Sequence, residues 1–158
     1  MKFLVDGMLG KLTRWLRMLG QDVVYSVEFN DSELLALTKK QERVLLTKDF
    51  ELYKRAIGRG LDAYYIEGKT ESERLAEVAK RYGLPLIVDM DKSHCPICNT
   101  KLNPAPKELL KDELEKNTFT YYDKFWKCPN CGQIYWQGAN WKQINNTLTQ
   151  AQQKKFCL

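Results

Sequence analysis

Two matching cysteine pairs in the last part of the chain constrain its fold more than any other sequence feature. Each pair is a Cys-x-x-Cys turn, and 29 residues separate the two turns. One such turn presents two thiolates to a tetrahedral metal ion at about 2.3 Å. The four cysteines are Cys95, Cys98, Cys128 and Cys131. We predict that they form a zinc ribbon, in which four thiolates leave the ion no open position for water, so the zinc is structural and not catalytic.

The alternative interpretation of these cysteines is a pair of redox dithiols, because a single Cys-x-x-Cys can be thioredoxin-like. Two turns of the same form, without the helix that usually follows a redox motif, favour zinc. His94 adjoins the first cysteine and is a competing ligand, but four cysteines already fill the coordination shell. Cys157, near the end of the chain, is left without an assigned role.

The first 90 or so residues alternate short apolar runs with helical patterns. Predicted strands cover 2–5, 23–25, 43–46 and 63–66, and each is followed by a helix. Asn30 to Glu33 has the spacing of a capping box, and Thr70 to Glu73 is a complete one. This alternation is typical of right-handed βαβ crossovers and a parallel sheet. We therefore predict a three-layer α/β domain over residues 1–92, with a candidate fifth strand at Leu86–Val88.

The character of the sequence changes after Lys92. Residues 93–158 carry the predicted zinc ribbon, a charged stretch from Pro104 to Lys116 that can hold a short helix, and a polar tail. The tail is rich in Gln and Asn from Gln143 onward, and we expect it to fray.

Net charge is +5 over 158 residues, and residues 93–158 contribute nine lysines against five acidic residues. That balance suits a protein that binds nucleic acid but does not establish it. No stretch reaches the roughly 18 apolar residues of a membrane span, and the N-terminus lacks a signal region. We therefore expect a cytoplasmic protein, and in that compartment paired cysteines usually indicate metal or redox chemistry and seldom disulfides.

Three aspartates occupy equivalent places in the predicted sheet. Asp6 follows the first strand, Asp31 opens the helix after the second, and Asp49 opens the helix after the third. All three positions lie at the carboxyl edge of a parallel sheet, where open α/β sheets bind ligands. Carboxylates gathered there favour a hard cation such as Mg²⁺ or Mn²⁺. Such an ion can activate a water for attack on a phosphodiester.

Helix capping is the alternative role for Asp31 and Asp49, since aspartate is common at helix N-termini. Asp6 is harder to explain in this way, because it precedes Gly7 at the end of an apolar strand. Glu33 is best explained as the capping partner of Asn30. The remaining candidates for a fourth carboxylate are Glu51 and Glu67.

Cationic residues on the first predicted helix support a phosphate substrate. Lys11, Arg14 and Arg17 lie opposite its apolar face at about 100° per residue. An ordinary solvated face is the alternative, but this helix starts beside Asp6, so its cations can hold a nucleic-acid backbone. The ribbon carries further candidates for stacking and charge on single-stranded RNA, with packing as their alternative role. They are Tyr135, Trp136, Trp141, Lys124, Lys127 and Lys142.

Several of these segments resemble the Mut-seven C-terminal RNase domain family. The most specific runs from Phe3-Leu4-Val5-Asp6-Gly7-Met8-Leu9-Gly10-Lys11-Leu12 through Arg14-Trp15-Leu16-Arg17 and Leu19-Gly20. The others are Asp31-Ser32-Glu33-Leu34-Leu35, Val44-Leu45-Leu46-Thr47-Lys48-Asp49, Phe125-Trp126-Lys127-Cys128-Pro129 and Ile134-Tyr135-Trp136-Gln137-Gly138. The resemblance extends from residue 1 to about 144.

This resemblance implies a PIN-like α/β nuclease fold fused to a zinc ribbon, with metal-dependent RNA cleavage. The matching acidic positions are Asp6, Asp31 and Asp49. The sequence departs from the family at Ala139-Asn140, where Ser-His is usual, so no role of that histidine carries over.

We accordingly expect a metal-dependent endoribonuclease with RNA as its partner. One rival is a non-catalytic RNA-binding or ribosome-associated zinc-ribbon protein. The other is a phosphatase or phosphotransfer protein with Asp6 as nucleophile. It is disfavoured because the chain lacks a second Asp two residues after Asp6.

Overall fold

A four-stranded parallel sheet forms the centre of the molecule in a computed structural model that describes all 158 residues. Its strands are β1 (Lys2–Val5), β2 (Asp22–Tyr25), β3 (Val44–Thr47) and β4 (Ala63–Tyr65), in the order β2-β1-β3-β4. Every neighbouring pair is parallel, so all four carboxyl ends meet at one edge. The prediction of an α/β fold with a parallel sheet is confirmed.

Three helices connect the four strands, a fourth follows the last strand, and together they cover both faces of the sheet. They are α1 (Gly10–Met18), α2 (Asp31–Lys40), α3 (Phe50–Gly58) and α4 (Glu71–Tyr82). Side chains of a strand alternate between faces, and Phe3 and Val5 therefore pack with α1 and α4 while Leu4 packs with α2 and α3. The three-layer arrangement follows from this alternation.

Side-chain caps fix the starts of three helices. Asn30 accepts a hydrogen bond from the Glu33 amide, and Asp49 accepts from two amides of α3. Thr70 and Glu73 form a complete, reciprocal capping box at the start of α4. The helix starts predicted from these residues are confirmed within one residue.

The predicted fifth strand at Leu86–Val88 is wrong. Residues 86–88 form no strand, because Leu84 and Leu86 insert into the main core. The Leu86 carbonyl accepts a hydrogen bond from Gln152 Nε2 at 2.9 Å, where a strand would need backbone partners.

A small antiparallel sheet follows in the C-terminal part. Its strands are β5 (Asn103–Ala105), β6 (Phe125–Lys127) and β7 (Ile134–Tyr135), in the order β5-β6-β7. A 3₁₀ turn at Lys107–Leu110 and helix α5 (Lys116–Tyr121) lie between β5 and β6. The short helical segment predicted after Pro104 is therefore present.

The polar tail does not fray but forms the longest helix, α6 (Trp141–Cys157). Leu148 and Ala151 on α6 are 3% and 0% exposed, and both belong to the main core beside α4. The expectation of a frayed tail is wrong because two apolar side chains, Leu148 and Ala151, meet the core one turn apart. The α/β layers are thus completed from the end of the chain. Neither α6 nor any other helix combines the length and apolar character needed to cross a membrane.

Candidate active site and metal centre

One hydroxyl group connects two of the predicted aspartates at the carboxyl edge of the sheet. Thr47, the fully buried last residue of β3, donates from Oγ1 to Asp6 Oδ2 at 2.8 Å. The same Oγ1 accepts from the Asp49 amide at 2.9 Å. Asp6 follows β1, and β1 is the neighbour of β3, so the parallel register brings both ends together. The structure places Asp6 and Asp49 beside one another through Thr47.

Asp49 has a structural role as well as a place at the edge. Its Oδ1 accepts from the amides of Glu51 and Leu52 at 3.0 and 3.2 Å, which caps α3. The capping role considered for Asp49 from the sequence is therefore present. Its other oxygen, Oδ2, makes no hydrogen bond to the protein and remains free for a ligand.

Asp31 is held differently from the other two aspartates. It is the first residue of α2, and its Oδ2 lies 3.5 Å from Arg55 Nη1 on α3. Its capping role is filled by Asn30. The carboxylates of Asp6, Asp31 and Asp49 do not form a group with all ligand atoms within 4.8 Å; only the four cysteines do so.

The free oxygens at this edge match the chemistry of a hard divalent cation. Asp6 and Asp49 each keep one carboxylate oxygen without a protein partner, and both residues are partly exposed. Mg²⁺ usually keeps several waters and binds one or two carboxylates together with substrate phosphates. Asp6 and Asp49 fit that mode. Asp31 is paired with Arg55 instead, in an exposed ion pair of a kind worth about 0–1 kcal/mol.

The loop after β1 is shaped by close packing against Tyr25. The Tyr25 hydroxyl donates to the Gly7 carbonyl at 2.9 Å. A Cβ on Gly10 would lie 2.9 Å from that hydroxyl, so glycine is needed where α1 begins. The carbonyl of Asp6 in turn accepts from the Leu9 amide. These contacts hold the backbone of Asp6 at the edge of the sheet.

The three cations predicted on α1 have different environments. Lys11 and Arg14 are exposed. Arg17 is 6% exposed and donates from Nε and Nη2 to the Val23 carbonyl and from Nη1 to the Pro96 carbonyl at 2.9 Å. Burial lowers the pKa of Arg17, although a guanidinium stays charged in proteins. The expectation that Arg17 contacts RNA is not retained, since its guanidinium is taken up by backbone carbonyls.

The four cysteines form a compact cluster. Cys95 Sγ lies 3.7 Å from Cys131 Sγ, and Cys98 Sγ lies 3.4 Å from Cys128 Sγ. Four ligands at about 2.3 Å from a tetrahedral ion are about 3.8 Å apart, close to these separations. The cluster can hold one metal ion such as zinc.

Neighbouring groups shift the pKa values of the cysteine thiols in both directions, since burial and the adjacent cysteines raise the pKa of Cys131 while Thr100 lowers that of Cys98. The hydroxyl of Tyr135 lies 3.0 Å from Cys95 Sγ, and burial raises the pKa of Tyr135, so it stays a donor. Hydrogen bonding with the Thr100 side chain lowers the pKa of Cys98 to about 6. The ring of His94 faces away from the cluster, with Nδ1 2.7 Å from the Asn99 carbonyl, so His94 is not part of the group.

The first cysteine turn docks on the amino end of the parallel sheet. Asn99, in the left-handed region at φ +72°, accepts from the Val23 amide and donates to Asp22 Oδ1. Arg17, at the end of α1, holds the same turn through Pro96 and Ile97. Because Asp22 and Val23 begin β2, the cysteine cluster lies at the opposite end of the sheet from Asp6 and Asp49.

Sequence reasoning missed two features of these sites. Thr47 was part of a quoted motif, but nothing in the motif marks its hydroxyl as the link between Asp6 and Asp49. Phe50 and Tyr65 form an edge-to-face pair beside Asp49, with ring centroids 5.3 Å apart. Phe50 is 46% exposed, which is unusual for an aromatic side chain. The sequence alone does not show this exposure, because it depends on the packing of the folded chain.

The sequence model of one protein family, described as Mut7-C RNAse domain, matches residues 1–148 of the chain. Searches of curated proteins and of solved structures found no match. The family match covers both the α/β layers and the four-cysteine cluster, and it indicates a nuclease-like function with RNA as substrate.

Proposed function

The chain belongs to the Mut7-C RNAse domain family, and on that premise we propose that it is a metal-dependent endoribonuclease. The supporting observation is that Thr47, at the carboxyl edge of the sheet, bonds both the Asp6 carboxylate and the backbone amide of Asp49. Ligands of open α/β sheets bind at this edge, and the edge offers free oxygens of the kind that hard cations prefer.

Asp6 and Asp49 would hold a Mg²⁺ or Mn²⁺ ion, with Asp31 as the third carboxylate. When bound, such an ion neutralises charge on the phosphodiester and acidifies a water that attacks it. Thr47 keeps the Asp6 carboxylate in one orientation by donating to Oδ2, so that Oδ1 faces outward. Asp49 is fixed by its bonds to two amides of α3. The protein's contribution is a rigid pair of oxygen ligands.

Exposed cations beside this edge would bind the RNA backbone. Lys11 and Arg14 project from α1, which starts four residues after Asp6. Lys48 lies between Thr47 and Asp49 and has no carboxylate partner. Such cations contact phosphates without reading sequence. Contacts of this kind favour cleavage that depends on access to the RNA backbone more than on the identity of the bases.

We assign the four-cysteine cluster to a structural zinc ion. Cys95 and Cys128 are fully buried, and the Tyr135 hydroxyl is bonded to Cys95. An ion with four thiolates has no site for water. Its position at the far end of the sheet from Asp6 separates it from the proposed chemistry.

A cleavage assay with an internally labelled RNA in Mn²⁺ or Mg²⁺ tests the proposal. Asp6→Asn should lower kcat at least about a hundredfold, because the ion loses a charged ligand. Asp62→Asn is the matched control, since Asp62 is an exposed aspartate at the amino end of β4. It should leave the rate unchanged.

Equal cleavage by wild type and Asp6→Asn would refute the assignment of the active site. No cleavage by either protein, with RNA binding retained, would instead support the non-catalytic RNA-binding alternative. Fragments with newly formed internal ends distinguish an endonuclease from an enzyme that removes terminal nucleotides.

A further inference from the structure

A cavity of about 490 Å³ lies between the cysteine ribbon and the helices α1 and α6. Met18 at the end of α1 and Trp141 at the start of α6 form two of its walls, and ribbon residues form the others. Its volume falls within the range of about 300–1,000 Å³ found for small-molecule sites. It is separate from the cysteine cluster and from the acidic edge, which is the carboxyl edge of the sheet at Asp6 and Asp49.

The lining of this cavity is aromatic and contains no carboxylate. Four aromatic residues contribute to it, namely Tyr122, Tyr135, Trp136 and Trp141. Gly138 makes room for one of the indoles, since a Cβ there would lie 2.7 Å from Trp136 Nε1. Flat apolar walls without negative charge suit a planar ring attached to an anionic chain, because nucleobases stack on aromatic side chains.

Polar groups of the cavity remain available for a ligand. The Nδ1 atom of His94 lies 2.7 Å from the Asn99 carbonyl, so Nδ1 carries a hydrogen and donates it there, which leaves Nε2 for a ligand. The indole N–H groups of Trp136 and Trp141 donate to no protein atom, and the Asn140 side chain has no hydrogen-bond partner. Donors and acceptors of this kind recognise the edges of unpaired bases.

A cationic stripe on α1 connects the cavity with the acidic edge. Lys11, Arg14 and Met18 follow one another at i, i+3 and i+7 and therefore share one side of the helix. Lys11 and Arg14 are exposed, and Met18 lines the cavity. From Lys11 to Met18 the helix rises about 10 Å. That is about three nucleotides of a stacked strand at about 3.4 Å each.

We propose that this cavity binds one base of single-stranded RNA, about three to four nucleotides from the phosphate held at the acidic edge. The stripe on α1 carries the intervening backbone. The path of the RNA chain from the cavity toward Asp6 rests on the proposed ribonuclease function. The cavity itself adds a base-binding site, which makes cleavage selective for unpaired RNA.

Binding of short labelled RNA to the full-length Asp6→Asn protein tests this proposal without turnover. Trp136→Ala and Tyr122→Ala should each weaken binding about tenfold, since stacking on an aromatic ring is worth about 1–3 kcal/mol. Tyr121→Ala is the matched control, because Tyr121 is 81% exposed and does not line the cavity. Trp136→Phe keeps a stacking ring and should bind within about twofold of the parent.

A series of RNAs with one abasic nucleotide gives an independent measurement that no folding defect can imitate. Affinity for the parent protein should fall for one position only, and Trp136→Ala should abolish that dependence. Equal affinity for every abasic RNA, or a Trp136→Ala protein that binds as the parent does, would overturn the proposal. Failure of the nuclease assignment is seen separately, as equal cleavage by wild type and Asp6→Asn.

Discussion

Thr47 shows how one buried hydroxyl determines the geometry of the proposed active site. It donates to the Asp6 carboxylate and accepts from the Asp49 amide, so two strands' ends are fixed relative to each other. A valine has nearly the same shape but can do neither. The effect of Thr47 on activity can therefore be separated from its effect on packing.

We expect Thr47→Val to lower kcat for RNA cleavage at least about tenfold and to lower the free energy of unfolding by about 1–3 kcal/mol. The partly buried Asp49 amide and Asp6 Oδ2 each lose a hydrogen-bond partner, and this loss is the usual cost of an unsatisfied polar group. Steady-state cleavage and urea unfolding measure the two effects. Thr47→Ser retains the hydroxyl and should retain most of the activity. A Thr47→Val enzyme as active as wild type would contradict this role.

Arg14 and Arg17, three residues apart on α1, should give opposite results. Arg17→Met removes a buried guanidinium bonded to backbone carbonyls, so the free energy of unfolding should fall by about 3 kcal/mol. Arg14→Met should change that free energy by less than about 0.5 kcal/mol, because Arg14 is exposed. It should weaken RNA binding and reduce its salt dependence. Thermal unfolding and binding at two salt concentrations test both, and equal stability of the two variants would refute the buried role of Arg17.

At the scale of elements, α6 stabilises a part of the fold that is distant from it in sequence. Its composition is polar, yet Leu148 and Ala151 join the main core beside α4. Lys154 Nζ also donates to Ser72 Oγ near the start of α4 at 2.8 Å. The last helix therefore stabilises the α/β layers from the far end of the chain.

We expect Leu148→Ala to lower the free energy of unfolding by about 2–5 kcal/mol, the usual cost of emptying a buried leucine site. Thr149→Ala, at the exposed neighbouring position, should have little effect. Urea unfolding of both variants measures the difference. A small effect of Leu148→Ala would mean that α6 is not part of the cooperative core.

At the scale of the whole molecule, the two candidate metal centres lie at opposite ends of the parallel sheet. Asp6 and Asp49 stand at the carboxyl ends of β1 and β3, and the first cysteine turn contacts the start of β2 through Asn99. The ribbon therefore contacts the α/β layers at the amino end of the parallel sheet. We therefore expect that an ion bound by the four cysteines and the proposed catalytic ion can be exchanged independently.

Replacing zinc by Cd²⁺ should leave the Mn²⁺-dependent cleavage rate of the folded protein within about twofold of its original value. Cadmium is also held by four thiolates, and no step of the proposed chemistry takes place at that site. Metal analysis should give one bound ion per chain, and removal of it should lower the melting temperature. A cleavage rate that followed the identity of the ribbon metal would contradict a structural role.

The sequence by itself determined the local features of this protein. Alternating apolar runs predicted the parallel strands and their helices, because backbone periodicity depends on neighbouring residues alone. Two Cys-x-x-Cys turns predicted the metal cluster, and the parallel strands placed Asp6 and Asp49 at one edge of the sheet; their role as metal ligands stays a prediction.

Only the tertiary structure decided which side chains are free. Arg17 and Lys11 both lie off the apolar face of α1, but the cysteine turn covers Arg17 and leaves Lys11 exposed. The polar composition from Gln143 onward predicted a frayed end, but the segment is helical because Leu148 packs into the core beside α4. Asp31 met Arg55 from another helix. Each outcome depends on contacts between residues far apart in the chain, and no local pattern of residues records them.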